Sequence, residues 1–154
     1  MTTAELSDGD LVDAYAPLVV DHDTADFYRG WLARELRVHR CADCGHRFLP
    51  TRPVCPQCWS DRVGSQPVSG RGTIFLLILL HQGPPAEGVD YASGPYPVAC
   101  VELDEQPGLR FTSTVVDAVG GSLAVGQTVE LTWIERNGVP FPAFRPVTTT
   151  EAAR

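Results

Sequence analysis

The sequence predicts a mainly β protein: an N-terminal helix, then a metal-binding ribbon built on cysteines, then a five-stranded barrel of the OB type. Three observations predict it. Four cysteines stand in two pairs, Cys41-x-x-Cys44 and Cys55-x-x-Cys58, with ten residues between the pairs. A helical apolar face, Phe27, Trp31, Leu32 and Leu36, precedes them. After residue 67 the texture changes to short apolar segments separated by turn signals.

The chain of 154 residues suffices for one ordinary domain or two small ones. Residues 1–22 read as an acidic arm with little packing of its own, although Leu11, Val12, Tyr15, Leu18, Val19 and Val20 are apolar enough to dock on something. No signal peptide is visible there, and the longest apolar run, Ile74 to Leu80, is far short of the roughly twenty residues that span a bilayer. The expectation is a cytoplasmic protein with no membrane partner.

Residues 23–36 are predicted as a helix, Thr24 to Leu36, capped by Asp23 with Asp26 in its first turn. Its aromatic face either packs on the chain's own core or anchors a partner.

Residues 37–66 form the ribbon. Each Cys-x-x-Cys lets two thiolates grip an ion from one tight turn, and two such turns close a tetrahedron of sulfurs. Zinc is the expected ion, one per chain and structural, since four thiolates leave no position for an activated water. Iron in a thiolate tetrahedron, disulfides, or a redox pair are the lesser alternatives. His39 and His46 stand beside the cysteines but are not needed as ligands. Gly45, directly after Cys44, suits a knuckle that requires a positive φ.

Residues 67–147 are predicted as the barrel. Its strands are Thr73–Leu80, Tyr96–Leu103, Leu109–Val116, Gln127–Glu135 and Val139–Val147. Asn137-Gly138 makes the final hairpin turn. A connection over 120–126 joins the third and fourth strands, and residues 148–154 are a tail. The unbroken run in the first strand implies that both its faces are covered or that one is an interface, which singles out Phe75 and Leu77. Cys100, in mid-strand, reads as a buried inert thiol.

Charge is unevenly spread. The net charge is −7, and all twelve basic residues are arginine. Residues 1–26 carry seven acids and no base, residues 27–71 eight arginines against three acids, and residues 72–154 four arginines against nine acids. Such a chain is a poor general nucleic-acid binder, because that affinity comes from cations meeting phosphates. A zinc-ribbon and OB module for nucleic acid is thus a secondary reading. No paired carboxylates, His–nucleophile couple or phosphate loop stands at a readable spacing, so no catalytic residue is assigned.

The order of parts is more specific than any one of them. Arg40-Cys41-x-x-Cys44-Gly45, Cys55-Pro56-x-Cys58, Ser69-Gly70-Arg71-Gly72-Thr73, Val101-Glu102-Leu103-Asp104-Glu105 and Phe144-Arg145-Pro146 follow one another. Over about residues 24–147 this resembles the family catalogued as domain of unknown function thirty-five, in which a rubredoxin-like zinc ribbon is joined to an OB-fold. The resemblance implies Cys41, Cys44, Cys55 and Cys58 as zinc ligands. It implies a non-catalytic subunit, associated with acyl-CoA, that scaffolds a thiolase-fold enzyme and completes its CoA channel. The partner would be of thiolase, acyltransferase or steroid side-chain aldolase type, in a heteromeric complex of acyl-CoA or lipid and steroid metabolism. A hot-dog-fold enoyl-CoA hydratase is the alternative partner. CoA carries phosphates, and guanidinium groups suit phosphate oxygens, so Arg40, Arg47, Arg52 and Arg71 are candidate phosphate contacts. Phe27, Trp31, Phe75 and Leu77 are candidate subunit contacts. One departure stands out: Trp59 occupies a knuckle position where glycine is common in the family, so a different local turn is expected there.

Overall fold

The computed structural model describes residues 6–118 and 122–147, which carry two helices and eight strands. The first helix, α1 (Asp8–Tyr15), falls inside the segment expected to be an unpacked arm. Its start is fixed by a reciprocal cap. The Ser7 hydroxyl oxygen accepts from the Asp10 backbone N–H, and the Asp10 carboxylate accepts from the Ser7 N–H. Leu11 and Tyr15, four residues apart, are both buried. The tail and the first five residues of the arm lie outside the described residues, as does part of the 120–126 connection.

The expected second helix, α2, runs Ala25–Leu32 and stops earlier than its apolar pattern suggests. Arg34 takes a left-handed conformation, φ 58°, and the Glu35 N–H turns back to the Gly30 carbonyl at 2.8 Å. That closure ends the helix before Leu36. Asp23 is not its cap; the Asp21 carboxylate instead accepts from the Asp23 and Thr24 N–H groups.

Two compact units follow from the packing. The first comprises residues 1–69 together with 133–142, and the second residues 70–132 and 143–154. The barrel expected over 67–147 therefore lends the far end of its last hairpin to the first unit.

In the first unit β1 (Arg37–Cys41) is the centre of a three-stranded antiparallel sheet, between β2 (Arg47–Phe48) and β3 (Val63–Pro67). Tyr15, Tyr28 and Trp31 form an aromatic cluster with ring centroids 5.0–5.5 Å apart, and Phe141 lies 5.2 Å from Trp31. The Tyr15 hydroxyl donates to the Pro140 carbonyl at 3.2 Å. Burial, with the Glu135 charge adding to it, pushes the Tyr15 hydroxyl well above the ordinary tyrosine range, and burial raises Tyr28 too. Arg29 ties the two helices, bonding Asp8 at 2.7 Å and the Leu6 carbonyl at 3.0 Å.

The second unit is built on a five-stranded sheet in the order β6-β5-β4-β7-β8. The strands are β4 (Arg71–Leu80), β5 (Tyr96–Leu103), β6 (Arg110–Thr114), β7 (Thr128–Arg136) and β8 (Val139–Pro146). Each falls within a few residues of its predicted span. The two edges approach each other through a parallel bridge between Val115 and Phe144, with the Val116 N–H donating to the Phe144 carbonyl at 2.8 Å. This is the strand order and near-closure of an OB barrel. Ile74, Val101, Leu103, Leu109, Val129 and Phe144 fill it. Gly72 lets β4 pack tightly against β5: a β-carbon there would sit 2.3 Å from the Glu102 carbonyl oxygen. Cys100 is half-buried on β5, rather than fully enclosed as expected. No helix among the described residues is long and apolar enough to cross a membrane.

Candidate metal centre

The cysteines are carried by two turns of the same build. In the first, the Gly45 N–H donates to the Cys41 carbonyl at 3.0 Å; in the second, the Trp59 N–H donates to the Cys55 carbonyl at 3.0 Å. The chain then returns through Cys41 N–H to the His46 carbonyl, and Cys55 N–H to the Ser60 carbonyl, each at 2.9 Å. Gly45 has φ 74° and Trp59 φ 61°. The expected difference at Trp59 is therefore absent. The tryptophan adopts the left-handed conformation that glycine takes in the first knuckle, with its side chain 79 % exposed.

All four sulfurs lie within 4.8 Å of one another. Cys41 Sγ is 3.6 Å from Cys58 Sγ, and Cys44 Sγ is 3.7 Å from Cys55 Sγ. A disulfide would bring two sulfurs to about 2.05 Å. A zinc–sulfur distance of about 2.3 Å makes the edge of the tetrahedron about 3.8 Å, close to the distances found here. The site fits a structural zinc held by Cys41, Cys44, Cys55 and Cys58.

The sulfurs oppose one another's ionisation. The Cys44 N–H, aimed at the Cys41 sulfur, draws that thiol down to about 7. The Ser60 N–H favours a thiolate at Cys58, but the crowded neighbouring sulfurs outweigh it and push that thiol up to about 12. Four sulfurs this close become thiolates together only around a cation.

A brace joins the knuckles. Asp43, between the first two cysteines, bonds the Ser60 hydroxyl and pairs with Arg62, whose Nε lies 3.1 Å from it. The Ala42 N–H reaches the Arg62 carbonyl at 2.8 Å. Reading the motif alone missed this brace, because an aspartate inside Cys-x-x-Cys carries no distinctive signal.

Three of the four candidate phosphate arginines, Arg40, Arg47 and Arg52, lie in the ribbon. Arg40 on β1 and Arg47 on β2 are direct cross-strand partners. The backbone of exposed Arg52 meets the His39 Nδ1, its carbonyl at 3.0 Å. Arg40 also borders a depression of about 470 Å³ lined by Arg62, Gly64 and Gln66. Arg71 belongs to the second unit, where it faces Glu130 across β4 and β7.

The subunit-contact candidates divide. Trp31 is 4 % exposed within its own aromatic cluster, so it is a core residue and not an anchor for a partner. Phe27 and Leu77 are half-buried, and Phe75 is exposed.

Two family models match consecutive stretches of the chain: the ChsH2 rubredoxin-like zinc ribbon domain over residues 30–64, and the ChsH2 C-terminal OB-fold domain over 65–134. Among solved structures the chain is similar to an Ltp2-ChsH2(DUF35) aldolase chain, with 31 % identity and a TM-score of 0.73, over 84 % of this chain and 98 % of that one. A DUF35-family protein of unknown function from Sulfolobus solfataricus shares the fold, at 12 % identity and a TM-score of 0.57, over 90 % of this chain and 92 % of that one. A DUF35 domain-containing scaffold protein of Methanothermobacter thermautotrophicus is 38 % identical over 93 residues, which are 60 % of this chain and 66 % of that protein. The 3-oxo-4,17-pregnadiene-20-carboxyl-CoA hydratase alpha subunit of Mycobacterium tuberculosis is 36 % identical over 118 residues, 73 % of this chain but 34 % of that protein. The match thus spans just under two thirds of the first of these relatives and about a third of the second.

Proposed function

Because the chain belongs to the DUF35 family of zinc-ribbon and OB-fold proteins, we propose that it is a non-catalytic subunit of a heteromeric enzyme that acts on acyl-CoA thioesters. The partner is a thiolase-fold enzyme that makes or breaks carbon–carbon bonds. This chain stabilises the partner and completes the path of the CoA moiety. The observation that carries the reading is the similarity to the aldolase complex chain, which this protein matches along 98 % of its length.

The chemistry of the ribbon supports a CoA role. Arg40 and Arg47 oppose each other on one small sheet, with Arg52 beside it. Guanidinium groups suit phosphate oxygens through charge-assisted bonds. Zinc has no catalytic part here. With four thiolates its coordination is closed, and its contribution is to the folding of a ribbon poor in large apolar residues.

A second reading changes only the partner. The similarity to a CoA hydratase subunit extends over more of this chain than the similarity to the scaffold protein does. It favours a hot-dog-fold hydratase as the alternative enzyme.

A tagged copy purified from its native cell extract tests both. Stoichiometric recovery of a thiolase-like enzyme supports the first reading, and recovery of a hydratase supports the second. Absence of any CoA-ester enzyme, or acyl-CoA turnover by the isolated chain, overturns the accessory-subunit reading.

A further inference from the structure

β4 is paired on both sides where it begins and on one side where it ends. From Arg71 to Thr73 it is bonded to β5 and to β7. At Ile74 the contacts on the β7 side finish, with the Ile74 N–H on the Gln127 carbonyl at 2.9 Å and the Gly126 N–H on the Ile74 carbonyl at 2.8 Å. The strand continues to Leu80, and β5 accompanies it to the end through Leu76↔Cys100 and Leu80↔Tyr96. Among the described residues no strand pairs the other side of Phe75–Leu80. Alternate residues of a strand point N–H and C=O to opposite sides, so this edge holds about three donors and three acceptors with no strand opposite.

The side chains agree with the backbone. Phe75, Leu76, Ile78 and Leu79 are 45–49 % exposed; the register against β5 shifts between Ile74 and Leu76, and beyond that bulge consecutive residues such as Ile78 and Leu79 point to opposite faces. Both faces of this end of β4 therefore present apolar surface. Sheets normally protect such an edge with charge, proline, a bulge or a covering segment, and here the bulge at Phe75 leaves Leu76–Leu80 in regular register with β5. The run Phe75-Leu-Leu-Ile-Leu-Leu80 has neither charge nor proline. Phe75 is also held in place: the Arg110 guanidinium lies 3.4 Å over its ring, and Glu102 bonds Arg110 at 3.3 Å.

We propose that the Phe75–Leu80 edge receives an extended strand of the partner enzyme, which adds to the barrel sheet beside β4. This rests on the accessory-subunit reading and says how the subunits join. A helix or an acyl chain would cover the apolar faces but leave the ladder unsatisfied, whereas an extended backbone satisfies both. A second copy of this chain is the poorer occupant. Each copy carries a net charge of −7, and an uncharged strand does nothing to offset repulsion between two of them. The incoming strand should alternate apolar side chains and carry few acids.

The test uses the complex recovered through the tagged subunit. Hydrogen exchange is compared between that complex and the free subunit, and Ile78→Lys and Leu79→Lys are each assayed for assembly. Both positions are exposed, so zinc content and the unfolding midpoint of the free subunit should be unchanged. The expected result is at least tenfold slower exchange of the 76–80 amides in the complex, and at least tenfold weaker assembly for each variant. A complex that forms while these amides exchange as in the free subunit overturns the proposal and leaves the accessory role intact. So does normal assembly of both lysine variants. Concentration-dependent protection in the free subunit would assign the edge to a second copy, again overturning it. Recovery of no enzyme at all removes both readings.

Discussion

Trp59→Gly should stabilise the protein, although it deletes the largest side chain in the ribbon's second knuckle. The left-handed conformation at φ 61° costs an L-residue about 1–2 kcal/mol, and glycine escapes that cost. Glycine loses roughly 0.5–1 kcal/mol by giving the unfolded chain more freedom. The indole adds little on the other side: it is 79 % exposed, and a compact unfolded chain shields a comparable share of its surface. The net expectation is about 0.5–1 kcal/mol of added stability. In a chain of this size that is a rise of roughly 1–4 °C in Tm. The assay is urea and thermal unfolding of the zinc-loaded protein followed by far-UV circular dichroism, which does not depend on the deleted fluorophore. Trp59→Ala is the control, since alanine keeps the β-carbon that makes this conformation costly. It should lie within about 0.5 kcal/mol of the parent. Equal stabilisation by alanine and glycine would refute the strain argument. A loss of 1 kcal/mol or more in the glycine variant would show that the indole is packed.

Other outcomes follow from the same geometry. Cys44→Ser should lose zinc under chelator competition and abolish complex formation, because about 10–16 kcal/mol of binding free energy in such sites is folding free energy. One retained zinc per chain with normal assembly would contradict it. Gly72→Ala forces a β-carbon to within 2.3 Å of the Glu102 carbonyl oxygen; the cost of about 1–3 kcal/mol should lower Tm by roughly 3–10 °C. An unchanged melting curve would mean that β4 and β5 separate freely. Alkaline pH should destabilise the first unit. Tyr15 and Tyr28 have folded pKa values raised above the unfolded value of about 10, so their contribution is complete below that pH and is lost as pH rises through the folded values. The chain has no lysine to titrate in the same range. Urea midpoints at pH 9 and 11, with tyrosinate absorbance, would check the sign; a midpoint that rises over this interval would refute it.

The barrel strands and the metal ligands were legible because each is written locally. Turn signals bound the strands, and the sulfur spacing is itself the geometry of a knuckle. What was less legible depended on distant residues or on backbone conformation. The α1 signal was present in Ser7-x-x-Asp10 and in the Leu11–Tyr15 spacing, but the acid-rich composition read as an arm. The helical spacing of Trp31 is compatible with core or interface, since its partners Tyr15 and Phe141 are far away in sequence. The early end of α2 rests on Arg34 turning left-handed, which Ala-Arg-Glu-Leu does not announce. The run Ile74–Leu80 indicated an interface or a doubly covered strand; only the pairing pattern separates these along its length.

The helical pair and ribbon are completed by residues 133–142, through the Phe141 ring on Trp31 and the Pro140 carbonyl that accepts from Tyr15. On a ribosome the cysteines emerge and can capture their ion before the last hairpin is made, yet the aromatic cluster of the same unit must wait for that hairpin. The N-terminal unit is thus begun first and finished last. A fragment stopped at residue 69 would carry every metal ligand and still lack the lid on its own core, so metal loading alone is a poor gauge of whether this protein has folded.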